Sequence, residues 1–220
     1  MKNNGLSLRI RVNEIFKSVQ GETTYAGIPC VFVRLTGCNL RCSYCDTTYA
    51  YKEGREMTLR TIIKKIQGYK CKNICITGGE PLLQKEVVNL IIYLKIMKYR
   101  IFVETNGSLD INILPKNVIR ILDIKCPDSG MNEKMDWKNI ERLSGNDEIK
   151  FIISSKKDYE WAKRITKKYI LRDRVQVVFG VAHGKLMPKS LAGWILKDKL
   201  DVRLQLQLHK IIWSEKLRGV

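Results

Sequence analysis

The chain has 220 residues, 45% of them hydrophobic, and a length that makes one domain, residues 1–220, with room for a real core. Met1 to Val12 shows no secretory signal, and the most apolar stretch, Val87 to Met97, is too short to cross a bilayer, so neither export nor a membrane partner is expected. The formal charge of +18 invites a nucleic-acid partner, but the basic residues are scattered as pairs such as Lys64-Lys65 and Lys167-Lys168 on polar helix faces, without an RNA-binding signature, and no direct nucleic-acid partner is expected.

Along the chain, short apolar runs alternate with amphipathic segments. Cys30 to Thr36 predicts a buried strand, and three cysteines follow on the loop behind it. Thr58 to Gln67 predicts a helix, with Thr58 as N-cap and Gly68 as its stop. Asn73 to Thr77 predicts a strand ending at Gly78-Gly79, and Gln84 to Lys98 a helix on which Val87, Ile91 and Leu94 share one face. Strands are expected at Ile101 to Glu104, Val118 to Lys125 and Ile149 to Ile153. A helix at Asp158 to Tyr169 places Trp161, Ile165 and Tyr169 at four-residue steps. A strand at Val175 to Phe179, a helix at Lys189 to Lys197 and an alternating strand at Val202 to Leu208 complete the order. Strands alternating with helices imply parallel βα units. Six or so units are too few for a complete eight-fold barrel. The expected fold is therefore α/β, a partial, open βα barrel of about six parallel strands, with a flat doubly wound sheet as the alternative. In βα barrels the chemistry sits on loops after the strands' C-terminal ends, which is where the next motifs fall.

Cys38, Cys42 and Cys45 are spaced C-x3-C-x2-C within eight residues. Thiolates at such spacing converge on one centre, and iron–sulfur clusters are held by cysteine thiolates. Three thiolates around a four-iron cluster leave one iron open to a small molecule. A closed zinc site is the alternative, but it wants four ligands, and the two histidines, His183 and His209, are far away in sequence. Seven cysteines with no export signal fit a reducing cytosol. Cys75 lies in an apolar strand and reads as core; Cys30 and Cys71 are likewise not expected as ligands, and Cys126 has no evident partner. Thr77-Gly78-Gly79-Glu80-Pro81 offers two glycines that let backbone approach a ligand and a glutamate that can accept from an ammonium group; alone it would be a tight turn. Glu104-Thr105-Asn106-Gly107 would alone suggest a hairpin turn, but no strand follows directly.

With Tyr44 just before the third cysteine, this spacing resembles the radical S-adenosylmethionine (SAM) superfamily. The Gln20-Gly21-Glu22 opening, Asp46-Thr47, the segment Lys125 to Met131 and the Gln207-Leu208-His209-Lys210 ending narrow the resemblance, over nearly the whole chain, to the 7-carboxy-7-deazaguanine synthase family. The resemblance implies a barrel of radical SAM type and a 4Fe-4S cluster on Cys38, Cys42 and Cys45, with SAM on the open iron. It implies SAM contacts from Tyr44, Gly79, Glu80, Glu104, Asn106 and Asp123-Ile124-Lys125, although only the lysine matches the family's Ser-Pro-Lys. The backbone around Val19, Gln20 and Gly21, with Arg34, Thr77 and His209, would hold a carboxytetrahydropterin, Arg34 pairing with its carboxylate. Thr47 would ligate Mg2+, a hard ion that prefers oxygen, with Asp46 near it. Phe179-Gly180-Val181 stands where relatives often show a Gln-Pro or Ser-Pro pair, and no side-chain role is assigned there.

The reaction so implied is a carbon–nitrogen lyase step of 7-deazapurine (queuosine) biosynthesis. A 5′-deoxyadenosyl radical starts the ring contraction of 6-carboxy-5,6,7,8-tetrahydropterin, with loss of ammonia, and no side chain is needed as a conventional acid or base. A cytoplasmic homodimer reduced by flavodoxin or ferredoxin is implied as well. The alternatives are a glycyl-radical-enzyme activase of the same superfamily and, from another class, a basic RNA-binding protein with a structural metal.

Overall fold

The structure is a computed structural model that describes residues 3–213 and 218–219. Its strands are β1 (Arg9–Val19), β2 (Pro29–Leu35), β3 (Arg55–Thr58), β4 (Asn73–Gly78), β5 (Arg100–Thr105), β6 (Ile119–Ile124), β7 (Glu148–Ile153), β8 (Gln176–Val181) and β9 (Arg203–Gln205). Its helices are α1 (Leu59–Gly68), α2 (Val87–Ile96), α3 (Asn139–Arg142), α4 (Lys156–Lys168), α5 (Pro188–Lys197) and α6 (Leu208–Ile212). Among the described residues the strands form one nine-stranded sheet, ordered β3-β1-β2-β4-β5-β6-β7-β8-β9. From β2 to β9 every pairing is parallel and the order never reverses. Right-handed crossovers without a reversal all fall on one face of the sheet. A doubly wound sheet needs a reversal to place helices on both faces. This sheet instead curls into an open barrel, with β3 and β9 as its edges.

Helices α1, α2, α4 and α5 cover the outer face. α1 buries Leu59, Ile62, Ile63 and Ile66, and Thr58 caps it by accepting the Thr61 N–H. α2 buries Val87, Leu90, Ile91 and Leu94. On α4 the buried line is Tyr159, Ala162 and Thr166. Trp161, Ile165 and Tyr169 form a half-buried second stripe, over which Trp137 stacks on Tyr169 at 5.5 Å. None of the described helices is long and apolar enough to cross a membrane.

The two antiparallel strands lie outside the expected set. β1 pairs with β2 along most of its length, with a bulge between Val12 and Glu14, and with β3 through Arg9–Val12. The last strand is shorter than expected. The Gln205 side chain turns to accept the Thr23 N–H, the Leu208 N–H donates to the Gly21 carbonyl, and the chain enters α6 instead of extending to Leu208.

The inner face of the curl is layered. Cys30, Phe32, Cys75, Phe102 and Ile121 form a small apolar plug. Tyr25 closes it, its ring 4.7 Å from Phe102. Above the plug, inward positions of β2, β4, β5, β6 and β7 carry Arg34, Thr77, Glu104, Asp123 and Lys150. Residues alternate along each strand, so Ile149, Phe151 and Ile153 pack under the helices while Lys150 and Ile152 face in. Phe102→Ala, a fully buried position in the plug, should lower stability by about 3–5 kcal/mol, read by urea unfolding. Ile113→Ala, at an exposed position, should stay within about 0.5 kcal/mol of the parent.

Candidate active site

The space above the plug is a cavity of about 740 Å³, within the range of small-molecule sites. Cys38, Cys42 and Cys45 line it, each half-buried and free of disulfides. Their loop is pinned by backbone. Gly37 donates to the Ala50 carbonyl at 2.8 Å, while its own carbonyl accepts the Glu80 N–H at 2.7 Å. The Gly79 N–H donates to the Leu35 carbonyl at 3.2 Å. Gly78 has φ +141, and a Cβ there would overlap the Leu35 backbone; one on Gly79 would overlap the Gly37 carbonyl and crowd Cys38. Glycine is therefore required at both positions for the loops after β2 and β4 to touch. Side chains add further ties. Ser43 donates to the Asp128 carbonyl at 2.7 Å and the Tyr44 hydroxyl to that of Ile152 at 3.2 Å. The Asn106 amide stands 3.8 Å from Cys38 Sγ and 3.0 Å from Asn39 Oδ1.

Glu80 is fully buried. Its carboxylate accepts from the Leu82 N–H at 2.9 Å, the Thr105 hydroxyl at 2.9 Å and the Asn106 N–H at 2.7 Å. Burial pushes its pKa up despite those bonds. Its side chain does not line the cavity, nor does that of Ile124, which is buried in the outer core. Every other site residue named from the sequence does line it.

The strands contribute a layer of paired charges. Arg34 Nε meets Glu14 at 2.7 Å, and its guanidinium lies 5.9 Å from the rings of both Phe16 and Tyr49. Thr77 donates to Glu104 at 2.9 Å, and the Gln20 amide reaches the other Glu104 oxygen at 3.4 Å. Asp123 Oδ2 lies 2.9 Å from Lys125 and 3.6 Å from Lys150. Its buried Oδ1 has no partner among the described residues. Lys150 meets Glu22 at 2.7 Å, and the other Glu22 oxygen accepts from Gln207 at 2.8 Å. Burial would raise the Glu22 pKa, but Lys150 and Gln207 bring it down to about 2. Burial at Asp46 is likewise overcome by Lys210, 2.9 Å away, and by the Thr47 hydroxyl, so that its pKa falls to about 2. Burial lowers the pKa of His209, which favours the uncharged ring. Its ring covers Gly21 so closely that a Cβ there would overlap Nδ1.

These residues fit a cluster with a bound small molecule. Thiols open onto the cavity beside a backbone cradle that a Cβ would fill, and an unpartnered carboxylate oxygen awaits a donor. Among the described residues no three His, Cys, Asp or Glu side chains gather tightly enough for a single ion; Cys38, Cys42 and Cys45 would instead hold a multi-iron cluster through their thiolates. Lys150, Glu22 and the Asp46–Lys210 pair were not singled out from sequence as charges of the chamber. The available signal was a lysine inside the apolar run Ile149 to Ile153, since charge at a buried position is rarely incidental.

An open βα barrel that delivers three thiols after one strand and a Gly-Gly cradle after the next defines a radical SAM domain, and residues 32–179 match the Radical SAM superfamily. The chain is 42% identical to a 7-carboxy-7-deazaguanine synthase of Koribacter versatilis, over 96% of this chain and 100% of that one. It is 40% identical to a synthase of the same name from Chlorobaculum tepidum, over 96% and 97% of the two chains. In fold it resembles QueE from Escherichia coli, with a TM-score of 0.79 over 95% of this chain and 99% of that one, at 20% identity. The chain therefore belongs to the 7-carboxy-7-deazaguanine synthase family of the radical SAM superfamily, which implies SAM and a 4Fe-4S cluster as cofactors. Cys38→Ala, Cys42→Ala or Cys45→Ala should each abolish cluster retention after anaerobic reconstitution, read by iron and sulfide counting, whereas Cys71→Ala should retain it. Gly79→Ala should also lose iron, by displacing the cluster loop. An empty Cys71→Ala protein would show the ligand assignment to be wrong.

Proposed function

We propose that the chain converts 6-carboxy-5,6,7,8-tetrahydropterin to 7-carboxy-7-deazaguanine with loss of ammonia, in the 7-deazapurine route to queuosine. The observation that carries this reading is that one chamber is lined both by the three thiols and by Gln20, Arg34, Thr77 and His209. When bound, the cluster and SAM supply one-electron reduction and hydrogen-atom abstraction. The chain's own residues bind, orient and exclude water.

Cys38, Cys42 and Cys45 hold the cluster in this reading. Tyr44, the Gly79 backbone, Asn106, Asp123 and Lys125 receive SAM, with Asp123 Oδ1 as a ready acceptor for a hydroxyl. Glu80 acts by holding backbone, because its carboxylate is taken up by Leu82, Thr105 and Asn106, and Ile124 contributes backbone alone. Glu14 engages Arg34 through Nε, which leaves the terminal nitrogens to fork around the substrate carboxylate. Gln20, Thr77 and Glu104 form one hydrogen-bonded group that faces the chamber, and His209 packs on Gly21 above it. Mg2+ is assigned to Thr47 with Asp46, a hard-oxygen pair 2.9 Å apart. Waters and the substrate carboxylate would complete its shell, and the metal would share Asp46 with Lys210. A flavodoxin- or ferredoxin-type donor, a cytoplasmic setting and a homodimer complete the proposal.

Reconstituted protein given reductant, SAM, Mg2+ and the carboxypterin under anaerobic conditions should release the deazapurine, identified by mass spectrometry, without consuming SAM stoichiometrically. A cluster-loaded protein that cleaves SAM but leaves the pterin untouched, and instead installs a radical on a partner protein, would make it an activase. Arg34→Lys should raise KM for the pterin on the order of tenfold while the Kd for SAM holds, because lysine cannot make the two-pronged contact.

A further inference from the structure

The turn between β1 and β2, residues 20–28, reaches across the open side of the curled sheet. Three successive residues in it are gripped by side chains from the far strands. Lys150 on β7 takes Glu22 at 2.7 Å, Gln205 on β9 takes the Thr23 N–H, and Glu148 on β7 takes Thr24 through its N–H and hydroxyl. The Gly21 carbonyl accepts the Leu208 N–H at 2.9 Å. The barrel's gap is thus closed here largely by side chains rather than by a strand ladder.

Lys150 differs from the other two grips. It is a buried ammonium facing Glu22 from the turn and Asp123 from β6, with Glu104 of β5 within electrostatic reach. A buried charge that loses its partner is strongly destabilising, and here the partners divide unequally. Asp123 keeps Lys125 at 2.9 Å when Lys150 is removed, whereas Glu22, among the described residues, keeps the neutral amide of Gln207 and the His209 ring within electrostatic reach, but no lysine or arginine ion pair. Loss of the ammonium therefore falls on the turn, and on Gln20 and Gly21 beside it, more than on the residues assigned to SAM.

We propose that Lys150 is a positioning residue for the reaction, acting through Glu22 to set the β1–β2 turn and its Gln20-Gly21 backbone against the substrate. This rests on the reading of the chamber as the carboxypterin site. The test is a cycle of Lys150→Met, Glu22→Gln and the double variant, each reconstituted anaerobically. Each single variant should raise KM for the pterin at least about tenfold, while kcat and the Kd for SAM move less than about threefold. The double variant should match the singles rather than multiply them, since both remove one interaction. Hydrogen exchange of backbone amides 20–27 in the cluster-loaded protein should quicken in every variant, by at least about tenfold, as the turn opens locally. If Lys150→Met fails to load its cluster, the double variant, which removes both charges together, and Glu22→Gln carry the test. An unchanged KM or unchanged exchange in Glu22→Gln would overturn the proposal, and so would a parallel loss of SAM and pterin binding. Turnover by the unaltered protein tests the assigned reaction separately, and the exchange measurement does not depend on it.

Discussion

Backbone lies against backbone where the loops after β2 and β4 meet, and the chamber depends on that contact. Gly79 donates to Leu35, Glu80 donates to Gly37, and no side-chain atom fits between. Glu80 then locks the arrangement from behind. An unpaired buried carboxylate would be costly, but this one gathers two backbone N–H groups and a hydroxyl drawn from the segment after β4, the last residue of β5 and the residue that follows it. One residue thus binds the cluster loop through its N–H and the third loop through its carboxylate. The spacing of the cysteines makes a cluster possible; this seam makes their loop rigid enough to hold one.

The sheet's failure to close explains why there is a site inside it. A complete small barrel fills its interior with layered side chains. Here only the lower layer is filled, by Phe32, Phe102, Ile121 and Tyr25. Above it charged side chains from the strands and the segments around them are paired, Arg34 with Glu14, Lys125 with Asp123, Lys150 with Glu22 and Lys210 with Asp46, and Glu104 is held by Thr77 and Gln20. The chamber is therefore close to balanced although the whole chain is strongly basic. The surplus charge belongs to the outer surface, where it can steer anionic partners but does not set the site's polarity.

What could be read from the sequence follows from what is local. The cysteine loop, the Gly-Gly turn and the parallel strands are each written in consecutive residues, and an unreversed run of βα units leads to a curl. β1 carries a readable alternation in Arg9, Ile10, Arg11 and Val12, but the bulge at Val12 to Glu14 breaks the period just before the Gln20-Gly21-Glu22 motif. β9 is harder still, because at its end Gln205 accepts the Thr23 N–H, a pairing with no local signature. Glu80 shows the same limit from another side. Its place in a ligand-binding motif is visible in sequence, whereas the three donors that occupy its carboxylate come together only in the fold.

The titration states of the chamber separate holding from reacting. A general acid or base works best with a pKa near the operating pH, and strongly shifted groups in a cleft usually mark such chemistry. Here the resolved shifts on the cavity wall move groups away from neutrality. Glu22 and Asp46 fall to about 2, Lys125 and Lys150 rise, burial pushes the Tyr44 phenol up, and His209 is lowered, which favours its uncharged ring. Glu80, which does rise, has no place on the wall. Glu22, Asp46, Lys125 and Lys150, fixed as charges in this way, are suited to holding a polar molecule in one orientation. That role suits a family whose difficult bond-breaking is supplied by a cluster and SAM, and it accounts for the ion pairs along this chamber.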